Sequence, residues 1–219
     1  NTAIFKQIIP QILQYNRDAI LLIATNPVDI LSYVTYKISR LPASRVIGSG
    51  TILDTARFRW LLGQYFSLDA RNVHAYIIGE HGDSEVAVWS LANIAGMPLD
   101  QYCQSIGCSI PEDQRQVISD QVRNAAYEII SRKGATFYAV AAGLVRIIES
   151  ILRNQYSVLS VSNLVPGYHE IEDVYLSLPA VINQHGVDHV LELPLDEKEK
   201  DKLQQSAAIL RDILNQLEI

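Results

Sequence analysis

The sequence predicts an α/β fold, and three observations carry that expectation. Ala19–Ala24 is an unbroken apolar run, the pattern of a strand buried on both faces in a parallel sheet. Strand and helix patterns then alternate: helical spacing over Ile30–Ile38, a short strand over Arg45–Gly50, and a helix over Thr51–Tyr65. Polar residues stand where apolar runs stop, Asn26 after the first strand and His81 after Val73–Ile78. In open α/β sheets, ligands bind at such carboxyl ends of strands.

Composition narrows the field. The 219 residues, 48% hydrophobic and 19% charged, are enough for one large domain or two small ones with a substantial core. Net charge is −6 and the Lys and Arg residues are scattered, which argues against a nucleic-acid surface. The longest uncharged apolar run, Ala135–Val145, is too short to span a membrane, and no basic-apolar signal segment opens the sequence. Cys103 and Cys108 are too few for a disulfide framework and are expected to be unpaired thiols. Together with the absence of any Asn-x-Ser/Thr site, this fits a cytoplasmic setting.

Taken in order, Thr2–Tyr15 shows a helical stripe of Ile4, Phe5, Ile8, Ile9, Ile12 and Leu13, interrupted only by Pro10. A helix that starts at residue 1 without a cap is expected of a sequence beginning inside a domain. The first strand ends in Thr25-Asn26-Pro27-Val28-Asp29, where the peptide before proline is a candidate for the cis form. Gly48-Ser49-Gly50 closes the next strand, but a lone G-x-G lacks the third glycine of a dinucleotide fingerprint. In the helix that follows, Ile52, Leu53, Ala56, Trp60 and Leu61 repeat at helical spacing. Asp54 and Arg57 share a face, while Arg59 lies on another. Alone, the first two are a surface ion pair and the third a solvated charge.

Val73–Ile78 reads as a buried strand running into Gly79-Glu80-His81-Gly82-Asp83. Glycines on both sides of the Glu-His pair permit a tight turn and close approach by another molecule. Imidazole is the side chain best suited to moving protons near neutral pH. Glu85–Ile94 is mostly apolar, Pro111 opens a helix running to Lys133, and Gly134 marks its boundary. Ala135–Leu152 is apolar almost all round and is expected to be a core helix, with Thr136 either capping it or touching a ligand. Strands are expected at Ser157–Leu164, Val174–Ile182 and His189–Leu195. His185 and His189 spread across the last hairpin, which disfavours a metal site. Asp196 caps a final helix that buries Leu203, Ala207, Leu210, Leu214 and Leu217.

Together these parts suit one reaction: His81 as acid/base, Asp54 to orient it, and Arg57 as a planar clamp for a carboxylate. Four stretches carry a resemblance: Asn26–Asp29, Gly48–Arg59, Gly79–Asp83 and Lys133–Thr136. They resemble, in order and spacing, the motifs of bacterial NAD-dependent L-lactate dehydrogenases, within the lactate/malate dehydrogenase superfamily. The resemblance covers essentially the whole sequence. It implies the C-terminal remainder of a doubly wound Rossmann domain over residues 1–50, followed by an α+β substrate and catalytic domain over 51–219. It also implies a reaction, the reversible reduction of pyruvate to L-lactate by NADH. His81 would donate or accept the proton, Asp54 would hold its ring, Arg57 would bind the substrate carboxylate, Asn26 would hydrogen-bond the reacting oxygen, and Thr136 would line the pocket. Ala24, Thr25, Asn26 and Ser49 would neighbour the cofactor. Arg59 and His74 match an effector site for fructose 1,6-bisphosphate across a subunit interface, implying an activated homotetramer. No metal, membrane or nucleic-acid partner is implied.

The sequence departs from the family in lacking the Gly-rich turn, the ribose-binding acid, and the mobile loop with its second arginine and specificity residue. The sheet is therefore expected to have an open edge and the polypeptide alone to be inactive. Glu80 before His81, and the Arg59/His74 pair, favour lactate over malate. A malate dehydrogenase of the lactate dehydrogenase-like type, a metal-dependent hydrolase using His81, Asp83 and the 185/189 histidines, and a non-catalytic assembly subunit remain as alternatives.

Overall fold

A computed structural model describes residues 1–217 of the chain; the last two residues of the expected second domain lie outside the described residues. Helix α1 (Thr2–Tyr15) packs on α2 (Val28–Ser39). Between them in sequence lies strand β1 (Leu21–Ile23), shorter than the apolar run that predicted it. β1 pairs in parallel with β2 (Val46–Gly48), and β1 forms one edge of a sheet ordered β1-β2-β6-β7-β8. The other members are β6 (Ser157–Tyr168), β7 (Ile171–Asn183) and β8 (Gly186–Val190), all antiparallel to their neighbours. The chain is thus mixed α/β, with one parallel pair at the edge of an otherwise antiparallel sheet. The strand expected over His189–Leu195 ends at Val190; beyond it, Leu191 still donates to the Pro179 carbonyl, and Pro194 has no N–H to continue a ladder.

A second sheet, β3 (Val73–Ile78), β4 (Val86–Ile94) and β5 (Met97–Pro98), meets the first through a bridge between Gly79 and Ser177. Helices α3 (Ile52–Phe66), α4 (Leu99–Ser105) and α5 (Glu112–Lys133) cover it around a core of Phe58, Leu62, Ile77, Ile94 and Ile118. Helix α7 (Glu197–Leu214) begins with a capping box, Asp196 accepting from the Glu199 amide while Glu199 reaches back. It buries Leu203, Ala207, Leu210 and Leu214 against the main core, as its spacing predicted, while Leu217 of the expected stripe lies beyond the helix and is partly buried.

Three expectations about faces are corrected. Helix α3 buries Asp54, Thr55, Phe58 and Leu62, whereas Trp60 of the expected stripe is 55% exposed. Helix α6 (Tyr138–Leu152) is not a core helix: Tyr138, Val145 and Leu152 are 85%, 61% and 78% exposed, and it rests on its neighbours through Gly143, Ile147 and Ser150. Gly143 permits this close seat, because a Cβ there would stand 3.1 Å from Ile52. Helix α1 forms as expected, yet only Ile9 of its stripe is buried, with Ile4, Ile8 and Ile12 exposed.

Candidate active site

His81 sits in a turn held from three directions. The Gly79 amide donates to Ser177 of β7 at 2.9 Å, the Glu80 amide to Ser206 of α7 at 2.8 Å, and the His81 amide to Asp29 of α2 at 2.8 Å. Glycine is required at the first of these, where φ is +89° and a Cβ would meet the Ser206 hydroxyl at 2.9 Å. Ser84 adds a hydrogen bond to Glu80. Three consecutive backbone donors spent on three elements leave the imidazole a fixed aim.

Helix α3 is registered to the same strand. The carbonyl of Ile77, four residues before His81, accepts the hydroxyls of Thr51, Ser160 and Thr55, and the Ile77 amide donates back to Thr55. This stitching carries Asp54, one position before Thr55, to the histidine. Asp54 Oδ2 lies 2.6 Å from His81 Nδ1, and Asp54 Oδ1 accepts from Arg57 Nη1 at 3.0 Å. Asp54 is 3% exposed, so the sequence-level picture of a surface ion pair does not hold: one buried carboxylate bridges an imidazole and a guanidinium. Burial of the His81 ring works against its protonation, but the hydrogen bond and charge of Asp54, helped by Asp29, outweigh it and raise its pKa above 6.5.

Two further carboxyls were not singled out from the sequence. Asp29 is fully buried in the first turn of α2; desolvation pushes its pKa to about 6, and its Oδ1 has no hydrogen-bond partner among the described residues. Glu85 is buried close by, and desolvation followed by the charge of Asp54 raises its pKa to about 8. The only sequence signal for Asp29 is an acid inside an otherwise apolar helix start, and for Glu85 its nearness to the His81 turn.

His81 and Arg57 open onto a cavity of about 230 Å³ that Ala24, Asn26, Ser49 and Thr136 also line. Ala24 and Asn26 follow β1, Ser49 follows β2, and its amide donates to Ile23 across the parallel pair at 2.7 Å. The Asn26–Pro27 peptide is cis. Thr136 does not cap α6, whose N-cap is Phe137 with no side-chain hydrogen bond; it faces the cavity instead. Ile52, Leu53, Ala126, Ile130, Ala139 and Val140, none of them proposed from the sequence as ligands, supply an apolar wall. Thr25 is exposed at the same strand end but does not line the cavity. Arg59 and His74 lie elsewhere. Arg59 Nε donates to the Ala75 carbonyl and its guanidinium stacks on Tyr76, while His74 is exposed on β3.

The other histidines stay apart from this chemistry. His185 contacts Gln184 and His189 contacts Asp188. Among the described residues no group of three or more His, Cys, Asp or Glu is arranged to hold a metal ion, and no helix is long and apolar enough to cross a membrane.

The model of the lactate/malate dehydrogenase α/β C-terminal domain matches residues 51–218, and that of the family's NAD binding domain matches residues 1–48. The chain belongs to the lactate/malate dehydrogenase family. It is therefore an NAD-dependent oxidoreductase by descent. Its sequence is 54% identical to an L-lactate dehydrogenase of Acetivibrio thermocellus, covering 100% of this chain and 69% of that protein. It is 50% identical to L-lactate dehydrogenase 1 of Clostridium acetobutylicum, over 99% of this chain and 69% of the relative. Among solved structures, the minor L-lactate dehydrogenase of Enterococcus mundtii superposes with a TM-score of 0.96 at 41% identity, over 100% of this chain and 69% of that one.

The residues present fit the nicotinamide end of the family's cofactor. Ala24, Asn26 and Ser49 make a small, uncharged rim at the ends of two parallel strands, beside His81.

Proposed function

We propose that this lactate/malate dehydrogenase family chain carries the substrate-binding and proton-transfer machinery of an L-lactate dehydrogenase, which interconverts pyruvate and L-lactate with NADH. The observation that carries the reading is the Asp54 carboxylate held between His81 and Arg57 at the wall of one cavity. The names of the similar bacterial enzymes support lactate as the substrate. When bound, the nicotinamide supplies or accepts the hydride.

Arg57 binds the substrate carboxylate through the donors that Asp54 leaves unused, its planar fork fixing the substrate's orientation. The Asp54 contact at Nδ1 leaves Nε2 of His81 to give its proton to the carbonyl oxygen of pyruvate, or to take one from the hydroxyl of lactate. Asn26 hydrogen-bonds the same oxygen and stabilises its developing charge. Thr136 and the apolar wall exclude water around the methyl end. Residues 1–50 and 51–219 act as the nucleotide-side and substrate-side domains. A steady-state comparison of pyruvate with oxaloacetate in the complete enzyme tests the choice, and a large preference for oxaloacetate would overturn it.

Arg59, held by Ala75 and Tyr76, and the exposed His74 on the adjoining strand form a cationic site for fructose 1,6-bisphosphate in a homotetramer. Identical pyruvate saturation with and without the bisphosphate would exclude it. The 219-residue polypeptide expressed alone is inactive, because it holds no phosphate-binding Gly-rich turn for the rest of the dinucleotide; NADH-dependent pyruvate reduction by it would refute that.

A further inference from the structure

Helix α4 ends in a backbone cap that brings two cysteines together. The Gly107 amide donates to the Gln104 carbonyl at 3.3 Å, and the Cys108 amide donates to the Cys103 carbonyl at 2.9 Å. With Gly107 at φ +68°, these bonds form a Schellman motif, in which the residue after the left-handed glycine folds back on the residue that starts the last turn. That contact is ordinarily between two apolar side chains. Here it is between Cys103 and Cys108, both unpaired and both packed on the same core cluster. The Cys108 amide bonded to the Cys103 carbonyl folds the two residues onto each other, and a disulfide spans Cα atoms about 4.4–6.8 Å apart. The two thiols are therefore neighbours across the cap, both packed on one core cluster.

We infer that Cys103 and Cys108 form a redox-active dithiol that small disulfides oxidise to an intramolecular disulfide across the α4 cap. Their unequal exposure assigns the roles. Cys108 is partly exposed and meets the incoming disulfide; Cys103 is 6% exposed and is shielded from it. Burial, followed by its hydrogen bond to Cys108, raises the Cys103 pKa, so the buried sulfur keeps its proton while Cys108 attacks. In the first exchange the Cys108 thiolate bonds to one sulfur of the small disulfide, whose other half leaves as a thiolate. In the second, Cys103 loses its proton and bonds to Cys108, and the remaining half leaves as a thiol after taking up that proton. The two protein sulfurs are oxidised by two electrons in all, and the small disulfide is reduced to two thiols. The site is separate from the cavity that holds His81, since neither cysteine lines it.

The test uses the full native chain incubated with oxidised glutathione, quenched by alkylation and analysed by peptide mass spectrometry. The expected product loses both free thiols together, with the mass of two hydrogen atoms gone and Cys103 linked to Cys108; dithiothreitol restores both. Cys103→Ser should halt at a glutathione adduct on Cys108, and Cys108→Ser should leave Cys103 unmodified. A native chain that stops at a mixed disulfide, that links only between molecules, that does not react, or that forms the bond only when denatured would overturn the inference. The native-chain measurement decides even if a variant fails to fold.

Discussion

Replacing Asp54 with Asn in the complete enzyme removes one carboxylate that serves two cations while keeping the shape of the side chain. Its oxygens take hydrogen bonds from His81 at 2.6 Å and from Arg57 at 3.0 Å. A hydrogen bond to a charged group contributes about 1.5–3 kcal/mol, so weakening one of them slows the reaction roughly 10- to 150-fold. Losing both lowers kcat/KM on the order of 10²- to 10⁴-fold if the effects add. The pH profile separates this from general damage. Asp54 is the main group that lifts the His81 pKa against the opposing effect of burial. On the proposed reaction pyruvate reduction uses the protonated ring, so its rate falls as pH rises through that pKa. Without the Asp54 charge the pKa drops and the fall begins at lower pH. Steady-state NADH oxidation with pyruvate across about pH 5 to 9 reads the limb directly. A D54N enzyme whose alkaline limb does not move, whatever its rate, would refute the reasoning.

Other consequences are equally open to measurement. His81→Asn should lower turnover by about 10²- to 10⁴-fold while NADH affinity, read by fluorescence titration, stays within a few-fold; unchanged turnover removes His81 from the acid/base role. Asp29 has a folded pKa of about 6 against an ordinary 3.8, so between those values the folded state holds more protons than the unfolded one and stability falls as pH rises, by about 3 kcal/mol in all. Asp29→Asn should flatten that fall in urea midpoints between acid and neutral pH, and an unaltered slope counts against the buried charge. Gly50→Ala places a Cβ 2.4 Å from the Ser162 amide and 2.5 Å from the Ser177 hydroxyl at φ +53°. The clash and the left-handed backbone should together destabilise the fold by about 2–5 kcal/mol, and a wild-type urea midpoint would contradict the close packing.

The sequence made the α/β alternation, the strand Val73–Ile78 and the cap at Asp196 legible, because each is marked by neighbours within a few residues. The candidate site was legible through residue types that suit one reaction, and most strongly through motif resemblance; the cavity gathers His81, Arg57, Asn26, Ala24, Ser49 and Thr136. What periodicity misread was the buried face of α3. It reports where apolar residues repeat, but Thr55 and Asp54 are buried because their polar atoms meet Ile77 and His81, more than twenty residues onward. The same blindness hid Asp29, whose partner is the backbone of the His81 turn fifty-two residues away. Helix α6 failed for the opposite reason. Its apolar composition predicted burial, but composition alone does not supply the elements that would cover it, and among the described residues it is seated by one narrow face.

Three carboxyls, from Asp29, Asp54 and Glu85, influence one imidazole, and their surroundings sort their work. Asp54 has its two oxygens on His81 and Arg57. Glu85 has no hydrogen-bonded cation among the described residues, and desolvation with the Asp54 charge leaves it mostly protonated at neutral pH. Asp29, at about 6, is mostly ionised there. Asp29 and Asp54 thus set negative charge beside the imidazole and favour its protonated form, and Arg57 shares the Asp54 carboxylate. An ionised Glu85 would add to that negative charge, strengthening the hold of His81 on its proton and repelling an incoming carboxylate. Glu85→Gln, which keeps the side chain neutral at every pH, should therefore preserve activity at neutral pH, and a loss of activity there would show that Glu85 works as an anion instead.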